Sequence, residues 1–297
     1  MLVAAGLVLV FGLVAAAFLA RPSTQSAATP PAQPTASEPK GFPSPPAGAV
    51  VFAREWGGSA LAFGVVPGHE TTLAQASVLG PQGRGTNGLA ISINGQRAAA
   101  CGTGCYRVTL DGAPRTVELR VGATAWAVRL PSPWPPRDGT ALVRRASATW
   151  RSLQSLTFNE RLASDATHSV TSVWRIEGPN RVAYQVVKGW GGVVVGDKRW
   201  DRAPGSTRWV ESPQTPLTQP TPPWVRTVDA HVLGEGTLAG RPVWRISFFD
   251  PSTPAWFEIA VDRSTYRTLE SHMVTTAHFM HDVYGRFNAT PAIVPPR

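Results

Sequence analysis

Histidine and methionine side chains gather near the C-terminal end of the sequence. Three histidines and two methionines fall within ten residues, as His272-Met273 and His278-Phe-Met-His281. Imidazole nitrogen and thioether sulfur together suit copper, which makes His278, Met280 and His281 weak metal candidates. On a single strand, however, His278 and Met280 share one face and His281 points to the other, so the pattern alone makes no pocket. A purely structural role is the alternative.

The two cysteines are close enough in sequence to bond to each other. They form the run Cys101-Gly-Thr-Gly-Cys105, whose glycines allow the tight reversal that a disulfide needs. The chain begins with an apolar segment typical of exported proteins, so we expect an oxidising compartment and a disulfide between Cys101 and Cys105. The alternative is a two-thiolate metal or redox site, although redox pairs are more usually Cys-x-x-Cys at the start of a helix.

No catalytic motif accompanies these residues. The sequence lacks Gly-x-Ser-x-Gly, His-Glu-x-x-His, phosphate-binding and Gly-rich nucleotide motifs. Glu160, Asp165 and Glu177 are too sparsely placed to predict an acid–base pair. We therefore expect no enzyme, and no cofactor apart from the copper alternative. The positive charges behind the net charge of +9 are spread along the chain without a Lys/Arg cluster, which favours a solvated surface, or one attracted to anionic lipid headgroups, over a surface that binds nucleic acid.

The N-terminal residues predict a membrane anchor and a spacer. Met1–Ala20 is uninterrupted apolar sequence of the length of a bilayer span, and Arg21 is its first charge. We expect a retained single-pass anchor over residues 1–21 in the plasma membrane, with a cleaved signal peptide as the alternative. Residues 22–47 are rich in Pro, Ser, Thr and Ala and predict a disordered spacer. Both folded domains would then be extracytoplasmic.

Residues 48–131 predict a mainly β domain of seven short strands separated by turn signals such as Asn94-Gly95 and Asp111-Gly112. Strands of this number and spacing are typical of a small Ig-like β-sandwich. Gly80-Pro-Gln-Gly-Arg84, Gly88-Leu-Ala-Ile-Ser-Ile93 and Cys101-Gly-Thr-Gly-Cys-Tyr-Arg107 resemble the extracytoplasmic C-terminal domain of copper-resistance D-type membrane proteins. The resemblance implies a β-sandwich, but the multi-pass region that transports copper in that family has no counterpart here.

Residues 138–297 predict one helix followed by a long antiparallel sheet. Asp138-Gly-Thr caps a helix that runs to Leu156, with an apolar stripe of Leu142, Ala146, Trp150 and Leu153. Strands follow to the C-terminus. The last four are predicted at Trp224–Gly234, Pro242–Asp250, Trp256–Asp262 and Tyr266–Tyr284. Such a meander tends to curl as it twists and to form a concave surface.

This half resembles the LolA-like family of outer-membrane lipoprotein carriers and the related LppX and LprG lipoproteins. The matching runs are Ile176-Glu-Gly-Pro-Asn-Arg-Val-Ala-Tyr184, Val194-Val-Gly-Asp-Lys-Arg-Trp200 and the tail from Tyr284-Gly-Arg-Phe-Asn288 to Ile293-Val-Pro-Pro296. The resemblance implies an antiparallel half-barrel wrapped on a helix, with an apolar cavity for acyl chains. It assigns no ligand-binding residue.

Strand alternation predicts which side chains would line such a cavity. Trp244, Ile246 and Phe248 share one face of their strand, as do Tyr184 and Val186 of another. We expect these five to bind an apolar ligand, namely a lipid or an acylated protein, in a membrane-anchored binding protein that has an envelope protein as a further partner. The alternatives are a copper-handling accessory protein and a sensing or interaction module without a ligand.

Overall fold

A computed structural model describes residues 44–56, 59–68, 70–80, 84–163, 168–275 and 279–297. The described residues belong to one compact unit, Gly41–Arg297. The predicted anchor and residues 22–43 of the predicted spacer lie outside them. In the described ranges, no helix is long and apolar enough to cross a bilayer.

The N-terminal part consists of two antiparallel sheets. Its strands are β1 (Val50–Trp56), β2 (Ser59–Val66), β3 (Thr71–Leu79), β4 (Ile91–Ile93), β5 (Gln96–Arg97), β6 (Ala99–Gly102), β7 (Cys105–Asp111), β8 (Thr116–Val121) and β9 (Thr124–Arg129). One sheet has the order β1-β2-β3-β7-β6 and the other β5-β4-β8-β9. Residues of both sheets, among them Phe63, Ile93 and Leu119, share one buried core. All seven predicted strands are present, and the short β5 and β6 are additional. The Ig-like assignment stays a prediction.

Strands β1 and β2 are buried on both faces. Val50 and Phe63 belong to the core shared with the smaller sheet. The side chains on the opposite face are small and pack against a third, larger sheet; they include Ala49, Val51, Ala53, Ala60 and Ala62. A Cβ on Gly64 would stand 3.5 Å from the indole of Trp256, which belongs to that larger sheet. Small residues on this face therefore make room for a large aromatic ring.

The predicted helix is present as α1 (Thr140–Arg151). The Asp138 carboxylate accepts hydrogen bonds from the Thr140 backbone N–H and hydroxyl, and Gly139 is the N-cap residue. Val143, Ala146 and Trp150 are buried. The predicted end at Leu156 was wrong, because the chain already enters the next strand at Ser155.

One antiparallel sheet of eleven strands contains the remainder of the fold. Its strands are β10 (Ser155–Ala163), β11 (Ser169–Glu177), β12 (Arg181–Val186), β13 (Gly191–Val195), β14 (Lys198–Arg202), β15 (Val210–Pro213), β16 (Val228–Leu238), β17 (Arg241–Asp250), β18 (Ala255–Asp262), β19 (Thr268–Val274) and β20 (Phe279–Gly285). Their order is β15-β14-β13-β12-β11-β10-β20-β19-β18-β17-β16. The last strand, β20, thus pairs with β10, the first strand of this sheet, and this pair joins the two halves of the sheet.

Two strand predictions in this sheet were wrong. The single strand predicted over Tyr266–Tyr284 is a pair, β19 and β20, which lie antiparallel to each other. The strand predicted from Trp224 begins at Val228, because residues 214–227 cross the sheet before the chain enters β16. The mainly β, antiparallel fold class is confirmed: the described residues contain twenty strands and one helix.

Candidate functional site

The face of the large sheet that meets α1, called here the inner face, carries a continuous series of aromatic rings. Its members are Tyr184, Trp174, Phe158 and Tyr284 on the sheet, Trp150 on the helix, Trp224 in the crossover 214–227, and Phe248 and Phe257 on β17 and β18. We call these eight side chains the aromatic row. Pairing places Phe158 opposite Trp174 and Tyr284, and Trp174 opposite Tyr184, so their side chains point to the same side.

Ring contacts connect the row from one half of the sheet to the other. The centroids of Trp174 and Tyr184 are 4.8 Å apart, and those of Phe158 and Tyr284 are 5.3 Å apart. The ring centroid of Trp150, on α1, lies 4.8 Å from that of Tyr284, and the two ring planes are nearly perpendicular. These are the separations at which aromatic pairs attract each other beyond simple burial.

Two elements cover the row. One is α1, and the other is the crossover 214–227, which has no regular secondary structure. Trp224 links the two elements, because its indole N–H donates to the Ser147 hydroxyl at 2.8 Å while its ring lies 5.4 Å from that of Phe248. Leu217 and Gln219 of the crossover are also buried.

The five predicted ligand-binding residues all point to the inner face, but in two separate groups. Tyr184 and Val186 lie on β12, whereas Trp244, Ile246 and Phe248 lie on β17, with five strands between β12 and β17. Ile246 and Phe248 have 0% exposure. Both side chains are therefore fully covered, and neither lines a cavity large enough for a water molecule. The ligand-binding role of the five stays a prediction, and a ligand would have to displace the cover.

The inner face also contains a pair of buried carboxyl groups that the sequence did not predict. Glu160 on β10 and Asp282 on β20 are directly opposite each other and are 4% and 2% exposed. The Ser172 hydroxyl donates to Glu160 at 2.8 Å, and the Trp174 indole N–H donates to the same oxygen. The Tyr284 hydroxyl donates to Asp282 at 2.8 Å. The sequence signal is an acidic residue inside an apolar alternation, Leu156-x-Phe158-x-Glu160-x-Leu162.

Burial keeps this pair protonated to higher pH than ordinary carboxyl groups. Loss of hydration raises the pKa of Glu160. The pKa of Asp282 is raised well above its usual range, first by burial and then by the negative charge of Glu160. Asp282 Oδ1 has no hydrogen-bond partner among the described residues. A protonated carboxyl in such a place can donate a hydrogen bond to a polar group within an otherwise apolar ligand.

Of the three metal candidates, the two that the structure describes lie on opposite faces of the sheet. Met280 is buried on the inner face, and His281 lies on the opposite, outer face, as strand alternation predicts. His278 lies outside the described residues. On the outer face His281 is directly opposite His272 and within hydrogen-bonding distance of Glu270, a grouping that the single-strand prediction could not reveal.

The predicted disulfide between Cys101 and Cys105 is confirmed, with the two Cα atoms 5.0 Å apart. Both sulfur atoms are therefore bonded to each other, which removes the two-thiolate metal alternative.

Two surface cavities open at the ends of the large sheet. A cavity of about 510 Å³ lies at the tips of two hairpins and is lined by Gln185, Lys188, Gly189, Arg202, Ala203, Gly205 and Ser206. A cavity of about 610 Å³ lies where α1 ends, and its lining includes Arg151, Leu153, Gln154, Glu177, Gln219 and Asn288. Neither is lined by any of the five predicted ligand-binding residues.

Comparisons with known proteins find similar solved structures but no matching protein family. No family model matches the chain, and no curated protein matches it. The lipoprotein LppX of Mycobacterium tuberculosis is 10% identical over 52% of this chain and 97% of its own, with a TM-score of 0.42. LprF from Mycobacterium bovis is 10% identical over 56% of this chain and 99% of its own, with a TM-score of 0.39. A LolA superfamily protein from Nitrosomonas europaea is 6% identical over 52% of this chain and 95% of its own, with a TM-score of 0.26.

The structures come from the group that the C-terminal half of the sequence resembles. Each TM-score is below 0.5. The resemblance of the N-terminal strands to copper-resistance D-type proteins stays a prediction.

Proposed function

We propose that this chain is a membrane-tethered binding protein of the cell envelope that holds the apolar chain of a lipid or an acylated protein against its inner face. The aromatic row carries the proposal, because its six rings on the sheet are covered by Trp150 of a 12-residue helix and Trp224 of the crossover, and all eight rings form one series of contacts. An apolar surface of this width must be covered. A short helix and an irregular crossover form a cover that a ligand can replace.

The free energy of such an exchange is the difference between the burial that the ligand gains and the burial that the cover loses. Burial of an acyl chain contributes about 0.8 kcal/mol per methylene, so ten methylenes contribute about 8 kcal/mol. Against this stands the loss of the contacts that Trp150 and Trp224 make with the rings of the sheet. The ligand replaces apolar contacts by apolar contacts, and Asp282 supplies a polar partner for a carbonyl or hydroxyl group near the ligand's head.

The proposed location follows from the sequence and agrees with the disulfide. Met1–Ala20 holds the chain in the plasma membrane and residues 44–297 lie outside the cytoplasm. A disulfide of the Cys101–Cys105 kind persists in oxidising compartments. The chain acts as a tethered receiver that works with another envelope protein, performs no catalytic step and binds no nucleic acid.

Photo-crosslinking tests the site directly. The full chain, in vesicles of phospholipid, is exposed to a palmitic acid analogue with a diazirine near the end of its chain, irradiated and digested for mass spectrometry. We expect labelled peptides from β11, β12, β17 and the crossover 214–227. Label confined to residues 1–20, which the bilayer itself would produce, rejects the proposal.

Two tryptophan variants sharpen this test. Trp150→Ala removes the ring that α1 places on Tyr284 and leaves space for an acyl chain, so labelling of the inner face should rise at least threefold. Trp190→Ala is the matched control, because its side chain is 39% exposed and outside the aromatic row. Equal labelling of both variants, in protein with an unchanged circular dichroism spectrum, contradicts the role given to the cover.

A further inference from the structure

Two histidines and a glutamate converge on the outer face of the large sheet, where β19 lies beside β20. His272 and His281 are directly opposite each other on these strands. Glu270 precedes His272 by two positions on β19, so its side chain emerges on the same face. Hydrogen bonds between neighbouring strands therefore fix the three backbone positions.

The donor atoms of these side chains are close together. One donor atom from each of Glu270, His272 and His281 lies within 4.8 Å of the other two. Nε2 of His281 is 3.0 Å from Oε1 of Glu270, and Nε2 of His272 is 3.7 Å from the same oxygen. The two imidazole rings are parallel, with centroids 4.2 Å apart. Both histidine side chains are about 40% exposed, so an ion can reach them from solvent.

We propose that Glu270, His272 and His281 form a binding site for a divalent transition-metal ion, best matched to zinc or copper(II). Zinc binds imidazole nitrogen and carboxylate oxygen at about 2.0–2.2 Å, which separates tetrahedral ligands by roughly 3.4 Å. The observed separations of 3.0 and 3.7 Å bracket that value. Because the two imidazole planes are stacked, the rings must turn about their side-chain torsions before both Nε2 lone pairs point at one ion. Three protein ligands leave a fourth position for water or another ligand.

The donor set distinguishes this site from one that would bind copper(I). Thioether sulfur favours copper(I), whereas imidazole and carboxylate favour zinc and copper(II). The nearest methionines in sequence, Met273 and Met280, are buried and are paired opposite each other on the inner face. The site therefore contains nitrogen and oxygen ligands and no sulfur ligand from these two residues.

The metal-free protein offers a competing explanation for the grouping. Glu270 can simply pair with the two imidazoles, through a hydrogen bond with His281 at 3.0 Å and an ion pair with His272 at 3.7 Å, and Arg245 Nη1 lies 3.5 Å from its other oxygen. Such a cluster would need no metal. Binding measurements separate the two explanations, because only a metal site loses a specific affinity when one imidazole is removed.

The test uses the untagged full chain in detergent after treatment with a chelator. Titration calorimetry with zinc chloride should show one site per chain, weakened at least tenfold in His272→Ala and in His281→Ala. Both side chains are partly exposed, so these variants should keep their circular dichroism spectra and melting temperatures. His278→Ala and Met280→Leu are the controls and should bind as the wild type does.

Electron paramagnetic resonance with copper(II) supplies a second readout. The wild type should show coupling to two imidazole nitrogens, and each single-histidine variant should show coupling to one. The proposal is overturned if the wild type binds zinc no better than the variant that lacks both His272 and His281. It is equally overturned if affinity is lost in His278→Ala, or if copper couples to the same nitrogens in every variant.

Discussion

Replacement of Trp256 by alanine should reveal how strongly the N-terminal strands are attached to the large sheet. Trp256 has 0% exposure and lies between Phe249, on its own sheet, and Gly64 on β2. A buried aromatic side chain of this kind removes about 150–250 Å² from water. At about 25 cal/mol per Å², its burial is worth roughly 4–6 kcal/mol.

The alanine variant should therefore lose about 3–5 kcal/mol of unfolding free energy, the usual range when a large aromatic residue is removed from a core. Trp256→Phe should lose less than half as much. Phenylalanine keeps one ring, and it removes an indole N–H that has no hydrogen-bond partner among the described residues. Equilibrium unfolding in urea, followed by far-ultraviolet circular dichroism on the full chain, measures both values.

The matched control is Trp190→Ala, whose side chain is 39% exposed and which should change stability by no more than about 0.5 kcal/mol. If Trp256→Ala were within about 1 kcal/mol of the wild type, the N-terminal strands would not be packed against the large sheet as described.

Three further predictions concern charges and the disulfide. Burial raises the pKa of Asp282 above its usual 3.8, so the folded protein holds this proton to higher pH than the unfolded chain and its stability falls as the pH rises above about 4. Asp282→Asn should remove much of that fall in thermal melts between about pH 4 and 8, and an unchanged pH profile would contradict the buried pair. Replacement of Cys101 and Cys105 by serine should lower the unfolding free energy by about 2 kcal/mol in urea titrations, whereas no loss would mean that the loop is equally ordered without the bond. The ion pair of Arg161 and Glu55 is about one-third exposed, so a double-mutant cycle should give a coupling below about 1 kcal/mol, and a larger value would indicate a desolvated pair.

Strand positions could be predicted from the sequence wherever the turn between two strands contains glycine, proline, asparagine or aspartate. Asn94-Gly95 separates β4 from β5, and Asp111-Gly112 lies where β7 ends, before β8, as the turn signals predicted. The reversal between β19 and β20 was missed because residues 275–278 are Thr-Thr-Ala-His, without glycine, proline, asparagine or aspartate. That miss hid the pairing of His272 with His281 and, with it, the candidate metal site.

The candidate site on the inner face was predicted only in outline. Alternation correctly assigned Trp244, Ile246 and Phe248 to one face, because side chains alternate along any strand. It could not show that Ile246 and Phe248 are completely buried. Residues 214–227 have no periodic sequence pattern from which their position over the sheet could be predicted. Nor could it show that Glu160 faces Asp282, because their pairing joins residues far apart in the sequence.

Strand β1 packs on one face in the core shared by the two smaller sheets and on the other face against the large sheet. This packing also determines how the fold would respond to a force that pulls on its N-terminus. This strand follows the segment that joins it to the proposed anchor, and the Gly48 backbone N–H, just before the strand, donates a hydrogen bond to Asp229 at 2.8 Å. A pull along β1 would stress its seven paired positions with β2 together, in shear, rather than one after another. The same pull would have to slide small alanine side chains past the large sheet. If residues 1–20 are the proposed anchor, tension from the membrane would act first on β1 and its pairing with β2.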